Sequence, residues 1–182
     1  MSKTFEGIDE KLGRFLADQP VFFVATAPSG PGGHINVSPK GMADTFRILG
    51  PRSVAYLDFI GSGIETVAHL RDNGRIVIMF CAFSGAPRIV RLHGRGLVVL
   101  PGDADWEELA ARFPPRHGAR SIITVDVDRV SDSCGFGVPL MTYDAERTQL
   151  VEWASRKTDD ELAEYRVKKN SSSIDGLPGL AE

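Results

Sequence analysis

The sequence predicts a mostly β fold: an antiparallel barrel, closed or partly closed, with a few helices inserted and a helical C-terminal extension. Two observations carry this. Roughly six β-rich runs follow one another as hairpins, punctuated by Gly and Pro. Helical patterns do not alternate regularly with them, which argues against a doubly wound parallel sheet. Closure then removes the strand edges that an open antiparallel sheet exposes.

Each element follows from a local pattern. Ile8, Leu12, Phe15 and Leu16 recur at i, i+4, i+7 and i+8, which predicts an amphipathic helix over residues 8–18, ended by Pro20. Val21 to Ala27 is β-rich, and the turn Pro28 to Gly33 returns the chain through the strand that starts at His34. Phe46 to Leu49 and Ser53 to Phe59 flank Gly50-Pro51 as a second hairpin. A helix follows over residues 63–72. Arg75 to Phe83 and Pro87 to Leu100 are two further strands around Ser84-Gly85-Ala86. Asp103 to Phe113 reads as a helix, with Trp106, Leu109, Ala110 and Phe113 on one face. Ser121 to Val130 alternates as a strand. The glycine-rich loop Ser133 to Pro139 then leads to a charged helical stretch over residues 146–169 and a polar end containing Gly and Pro.

The bulk numbers exclude several classes. A length of 182 residues favours one domain with a substantial core. A net charge of −3 supplies no basic field for nucleic acid. No apolar run reaches a membrane span, and the N-terminus lacks the apolar core of a signal peptide. Cys81 and Cys134 stand far apart and suggest no disulfide framework, so a cytoplasmic location is expected. His34, His69, His93 and His117 form no metal-ligand spacing, so no metal is expected.

Three segments are candidates for chemistry. Gly61-Ser62-Gly63-Ile64-Glu65-Thr66 lies between a strand and a helix. Glycines let backbone N–H groups approach an anion, and a helix N-terminus adds donors and a favourable dipole. Ser62 and Thr66 add hydroxyls. The dinucleotide fingerprint fails, because Thr66 replaces its third glycine and no acidic residue closes the next strand. The residues alone equally allow a plain glycine turn with Ser62 as N-cap. In the run His34 to Gly41, Asn36, Ser38 and Lys40 share one face opposite Ile35 and Val37. That face suits an anionic ligand, or simply solvent. In the run Pro87 to Gly96, Arg88 offers a planar fork of donors, or is a surface arginine. No residue stands out as a proton donor or acceptor for catalysis, and none is assigned.

Taken together and in this order, the three segments resemble the pyridoxamine 5'-phosphate oxidase-like family of flavin-binding split barrels. The resemblance covers residues 10–130, and Tyr56 to Ile78 is its most specific part. It implies a six-stranded antiparallel split β-barrel over residues 1–132. Beyond the resemblance, residues 133–182 are expected to form an extension packed on the same domain or on the partner subunit; the glycines, Phe136 and Pro139 of its loop suit a segment that covers the flavin pocket, and a solvent-facing helical appendage is the alternative. The resemblance further implies a homodimer that binds flavin mononucleotide (FMN) and oxidises or reduces a small molecule. By position, Asn36, Val37 and Ser38 would lie along the isoalloxazine edge, with Lys40 near the phosphate or ring. Ser62, Gly63, Glu65 and Thr66 would surround the phosphate, and Arg88 would lie near the ring. Two departures stand out: Glu65-Thr66 replaces a basic pair, and the C-terminal end lacks the basic, aromatic segment that grips the vitamin phosphate. The fold and cofactor are therefore expected, and that particular substrate is not. A deazaflavin cofactor, or a non-catalytic flavin or haem protein, is the alternative.

Overall fold

The computed structural model describes residues 3–180. The strands in chain order are β1 (Lys3–Phe5), β2 (Phe22–Thr26), β3 (Asn36–Lys40), β4 (Phe46–Gly50), β5 (Ser53–Phe59), β6 (Arg75–Cys81), β7 (Ile89–Val99) and β8 (Ala119–Ser133). They form one antiparallel sheet in the order β3-β2-β6-β7-β8-β5-β4, with β1 added to β8. The fifteen residues of β8 make it the spine. Its first half pairs with β5, its last residues pair with β1, and β7 runs along its other edge. Sequence patterning gave every strand of this path but missed β1, which is too short to show a period.

The sheet curls on itself and stays open between β3 and β4, which makes it a split barrel. Aromatic side chains rather than ladder hydrogen bonds bridge that split. Phe46 of β4 sits 5.3 Å from Phe22 of β2 and 5.1 Å from Phe80 of β6, between ring centroids. Inward residues of the strands, among them Val24, Val54, Ile78, Leu92 and Ile123, are fully buried and form the core.

The helix α1 (Glu10–Ala17) starts at Asp9, whose side chain accepts from Leu12 N, and it buries Leu12 and Leu16. The helix α2 (Glu65–Asn73) follows β5 and lies across β2, β6 and β7. It seats closely because Gly96 of β7 has no side chain: a Cβ there would stand 2.8 Å from Leu70 Cδ2. Its C-cap Gly74 takes φ 72°, the left-handed cap that glycine adopts most readily. The helix α3 (Trp106–Ala110) is shorter than its sequence pattern predicts.

The predicted single tail helix is two, α4 (Gln149–Ser155) and α5 (Asp159–Lys169). The cause is a capping box: the Thr158 hydroxyl accepts from Glu161 N while Glu161 reaches back to Thr158 N, which starts a new helix there. Ala154 is buried, and Trp153 and Tyr165 pair edge to face at 5.0 Å. Two irregular pieces complete the extension. A strap, residues 134–148, crosses the split, tied by Met141 N to Phe83 O at 2.9 Å and by Glu146 to Ala43 N. A hairpin, residues 170–180, returns onto the start of α2. The loop between β3 and β4 carries two non-glycine residues in left-handed backbone, Met42 at φ 74° and Asp44 at φ 65°. No described helix is long and apolar enough to cross a membrane.

Candidate functional site

Period two in β3 puts Asn36, Ser38 and Lys40 on one face. That face turns inward, and its apolar neighbours Ile35 and Val37 stand 75% and 61% exposed. The solvent-facing alternative therefore does not hold for this strand. Opposite β3, the turn from β5 into α2 brings up Gly61, Gly63, Glu65 and Thr66. Between them is a polar pocket of about 170 Å³, lined also by Phe59 and by Arg120 of β8.

Its hydroxyls are held in place. Asn36 Nδ2 donates to Thr66 Oγ1 at 3.1 Å, and Ser38 Oγ donates to Asn36 Oδ1 at 3.2 Å. Behind them, Thr26 Oγ1 lies 3.0 Å from His69 Nδ1, so His69 is half-satisfied within the core. Its Nε2 and the Tyr56 hydroxyl are buried without a partner among the described residues.

Charge comes from one buried cluster. Asp58, fully buried, receives Lys40 Nζ at 2.9 Å and Arg120 Nε at 2.7 Å. Burial pushes the Asp58 carboxyl upward, but the charges and hydrogen bonds of Lys40 and Arg120 outweigh it and hold it below the ordinary aspartate value. Burial, with the neighbouring Asp58 charge, pushes the Tyr56 phenol well above its ordinary value, so Tyr56 stays neutral. Glu65 also lines the pocket, and its Oε1 accepts from Ile174 N of the hairpin at 3.3 Å.

Ile64 is the N-cap of α2 and caps nothing with its side chain. Ser62, a candidate N-cap by sequence, is exposed and two residues too early. Among the described residues no side chain caps the first N–H groups of α2, which lie at the positive end of the helix dipole. This set fits a phosphate group: the Lys40 ammonium, the Thr66 hydroxyl and a helix N-terminus are the donors, and the Ser38 hydroxyl, whose one hydrogen goes to Asn36 Oδ1, lies beside them. Glu65 is the contrary member.

Of the residues singled out by sequence, the pocket gathers Ser38, Lys40, Gly63, Glu65 and Thr66, with Asn36 supporting two of them. Val37 and Ser62 point outward. Arg88 lies outside the pocket, donating to Asp132 Oδ2 at 3.0 and 3.2 Å and covering the Phe15 ring at 5.0 Å. Sequence reasoning missed Asp58, Arg120 and Asn170. A carboxylate inside the apolar run Tyr56 to Ile60 was the available signal, since a buried charge requires a partner. Nothing local marks Asn170.

Lys40 borders the polar pocket, and the next residue, Gly41, borders a larger apolar groove of about 1270 Å³. The groove runs along the split past Phe22, Phe46, Phe80 and Phe83, and the strap covers it with Met141 and Tyr143. No cluster suited to a metal ion exists among the described residues.

A curled antiparallel sheet open at one seam, with a donor-lined strand-to-helix turn, defines a split-barrel protein. The chain belongs to the pyridoxamine 5'-phosphate oxidase family, whose model matches residues 8–134. It is 43% identical to the pyridoxamine 5'-phosphate oxidase family protein ustO of Aspergillus flavus, over 97% of this chain and 77% of that one. Among solved structures, HupZ of Group A Streptococcus superposes with a TM-score of 0.53 at 20% identity, covering 69% of this chain and 99% of its own. A FAD-binding protein of Mesorhizobium loti gives 0.50 at 15% identity, covering 72% and 96%. These two likenesses show the fold.

Proposed function

We propose that this protein binds FMN and works as an oxidoreductase on a small molecule, as a homodimer. The observation that carries the reading is the convergence of Lys40, Ser38, Thr66 and the uncapped start of α2 on one small polar pocket. Membership of the family and a FAD-binding protein of the same fold support a flavin. When bound, a flavin supplies two-electron exchange at its ring. The chain's own part is placement. Lys40, anchored on Asp58, offers its remaining N–H groups to an anion. Asn36 fixes the rotamers of Ser38 and Thr66. The helix N-terminus contributes favourable potential.

The homodimer reading is supported by unpartnered apolar surface: Ile35 and Val37 on the outer face of β3, and Phe136 and Leu140 on the strap, 81% and 79% exposed. A two-fold, isologous interface would cover such surface. Free Cys81 and Cys134 fit a reducing compartment such as the cytoplasm.

The test is a titration of flavin-free protein with FMN, followed by absorbance and fluorescence, with light scattering on the same sample. The expected result is saturable binding by a dimer. Absence of binding to FMN, with binding of a deazaflavin or haem instead, overturns the cofactor assignment. A stable FMN-loaded monomer overturns the dimer.

A further inference from the structure

We infer that the C-terminal hairpin is a positioning element of the polar pocket and that Asn170 is the residue through which it acts; this rests on reading that pocket as a phosphate seat. The family match ends at residue 134, so the match itself assigns the hairpin nothing. Yet Asn170 is 0% exposed, and both ends of its carboxamide are engaged inside the β5–α2 turn. Its Oδ1 accepts from Arg120 Nη1 at 2.9 Å, and its Nδ2 donates to Gly61 O at 2.9 Å. Arg120 Nη2 in turn donates to Gly63 O at 2.9 Å.

The carbonyls on either side of Ser62 are thus pinned by two side chains that are bonded to each other. A peptide plane is rigid, with its N–H pointing opposite to its C=O. Pinning the Gly61 and Gly63 carbonyls therefore fixes the directions of the Ser62 and Ile64 N–H groups. Glycine restricts its own backbone least of all residues, so this turn depends on outside contacts for its shape.

The hairpin is built to present Asn170. Leu180 N donates to Asn170 O at 2.7 Å, Gly179 N to Ser171 O at 2.8 Å, and Arg71 of α2 to Gly179 O. Gly179 approaches so closely that a Cβ there would stand 2.1 Å from Asn170 O. Two further ties reach the pocket's other walls: Ile174 N to Glu65, and His34, just before β3, to Asp175 through its N at 2.8 Å and its ring at 2.6 Å. One short segment joins the start of α2, the entry to β3 and β8, the three elements that supply the pocket's donors.

The test compares Asn170→Ala, Asn170→Asp and Gly179→Ala with the parent protein. Asn170→Asp keeps the acceptor for Arg120 and removes the donor to Gly61. Gly179→Ala displaces the hairpin by collision with Asn170 O and leaves Arg120 unchanged; its Cβ also meets Ile64 Cγ1 at 2.8 Å, so it is read beside the two Asn170 variants and not alone. Two measurements are made: hydrogen exchange of flavin-free protein, read on a peptide covering residues 60–67, and titration with FMN and with riboflavin, which lacks the phosphate. The expected result is exchange in that peptide faster by about tenfold with β7 and β8 unchanged, and FMN affinity lower by about tenfold with riboflavin affinity within about twofold. Unchanged exchange at residues 60–67 in the variants that fold overturns the inference, as does equal weakening of both ligands. Should the parent protein bind neither flavin, the phosphate-seat reading falls, and exchange alone decides whether the hairpin holds the turn.

Discussion

Lys40 and Gly41 are adjacent, and they face two regions built on opposite principles. On the Lys40 side, few atoms carry the structure, and each has a named partner: Asp58, Arg120, Asn36, Asn170. On the Gly41 side, rings and aliphatic chains pack across the split, and hydrogen bonds of Thr45 and of the strap tie the backbone at its rim. A charge-built site keeps donors aimed but fails sharply when one member is lost, since the rest are left buried and unpaired. An area-built site loses stability in proportion to the surface removed, and it tolerates reshaping. The difference teaches that the polar pocket and the closure of the barrel rest on separate sets of residues in this chain.

The most damaging way to break the comparison is Arg120→Ala. It leaves Asp58 buried with one cation and unpins the Gly63 carbonyl, and should cost about 3–5 kcal/mol. Thermal unfolding should show this as a fall of roughly 10 °C for a chain of this size. A loss too small to detect would mean the cluster is not the determinant of the polar side. Next, Phe46→Ala opens the seam and should cost about 3 kcal/mol, the low end for a large aromatic since Phe46 is half-buried. FMN affinity should stay within about twofold, because Phe46 lines the groove and not the polar pocket. A matching loss of FMN binding would show that the two regions are coupled.

Acid separates them by charge. The Asp58 carboxyl is held below its unfolded value, so its contribution to stability is present above about pH 3.9 and fades as pH falls through the lower folded value. Urea unfolding followed down to that range should show a steeper decline for the parent protein than for Asp58→Asn, which has no such proton to take up. Parallel declines would remove Asp58 from the account. The smallest effect expected is from Glu65→Gln. Removing one negative charge from the pocket should tighten FMN by about fivefold and leave riboflavin unmoved, more clearly at low salt. Equal effects on both ligands would place Glu65 away from the phosphate.

The sequence made the strands and α2 legible because their signals are local: alternation, glycine–proline punctuation, and a glycine turn before a helical run. It also placed Asn36, Ser38 and Lys40 on one face. It left open which face is inside, because period two relates residues to one another and not to the core. The inward turn of the half-buried polar face and the exposure of Ile35 depend on α2 arriving from about thirty residues later. Asp58 and Arg120 are 62 residues apart, and neither announces the other. Asn170 is further still from the turn it holds, in a stretch whose composition reads as a loose end. The break between α4 and α5, by contrast, is written locally in Thr158-x-x-Glu161, inside the longer charged pattern that masks it.

The left-handed backbone at Met42 and Asp44 has an engineering consequence. A methionine in that conformation costs about 1–2 kcal/mol relative to a relaxed backbone, whereas glycine adopts it freely. The loop keeps its shape partly through Thr45, whose hydroxyl bonds to the carbonyls of Gly41 and Met42 at 3.0 and 2.8 Å. Anyone seeking a more heat-resistant form of this protein would find Met42→Gly among the first substitutions to try. The same change would remove a side chain that lines the groove and would slacken the segment that turns the chain from β3 into β4. The tension in those few residues is thus a ready handle on the trade between robustness and a well-shaped groove.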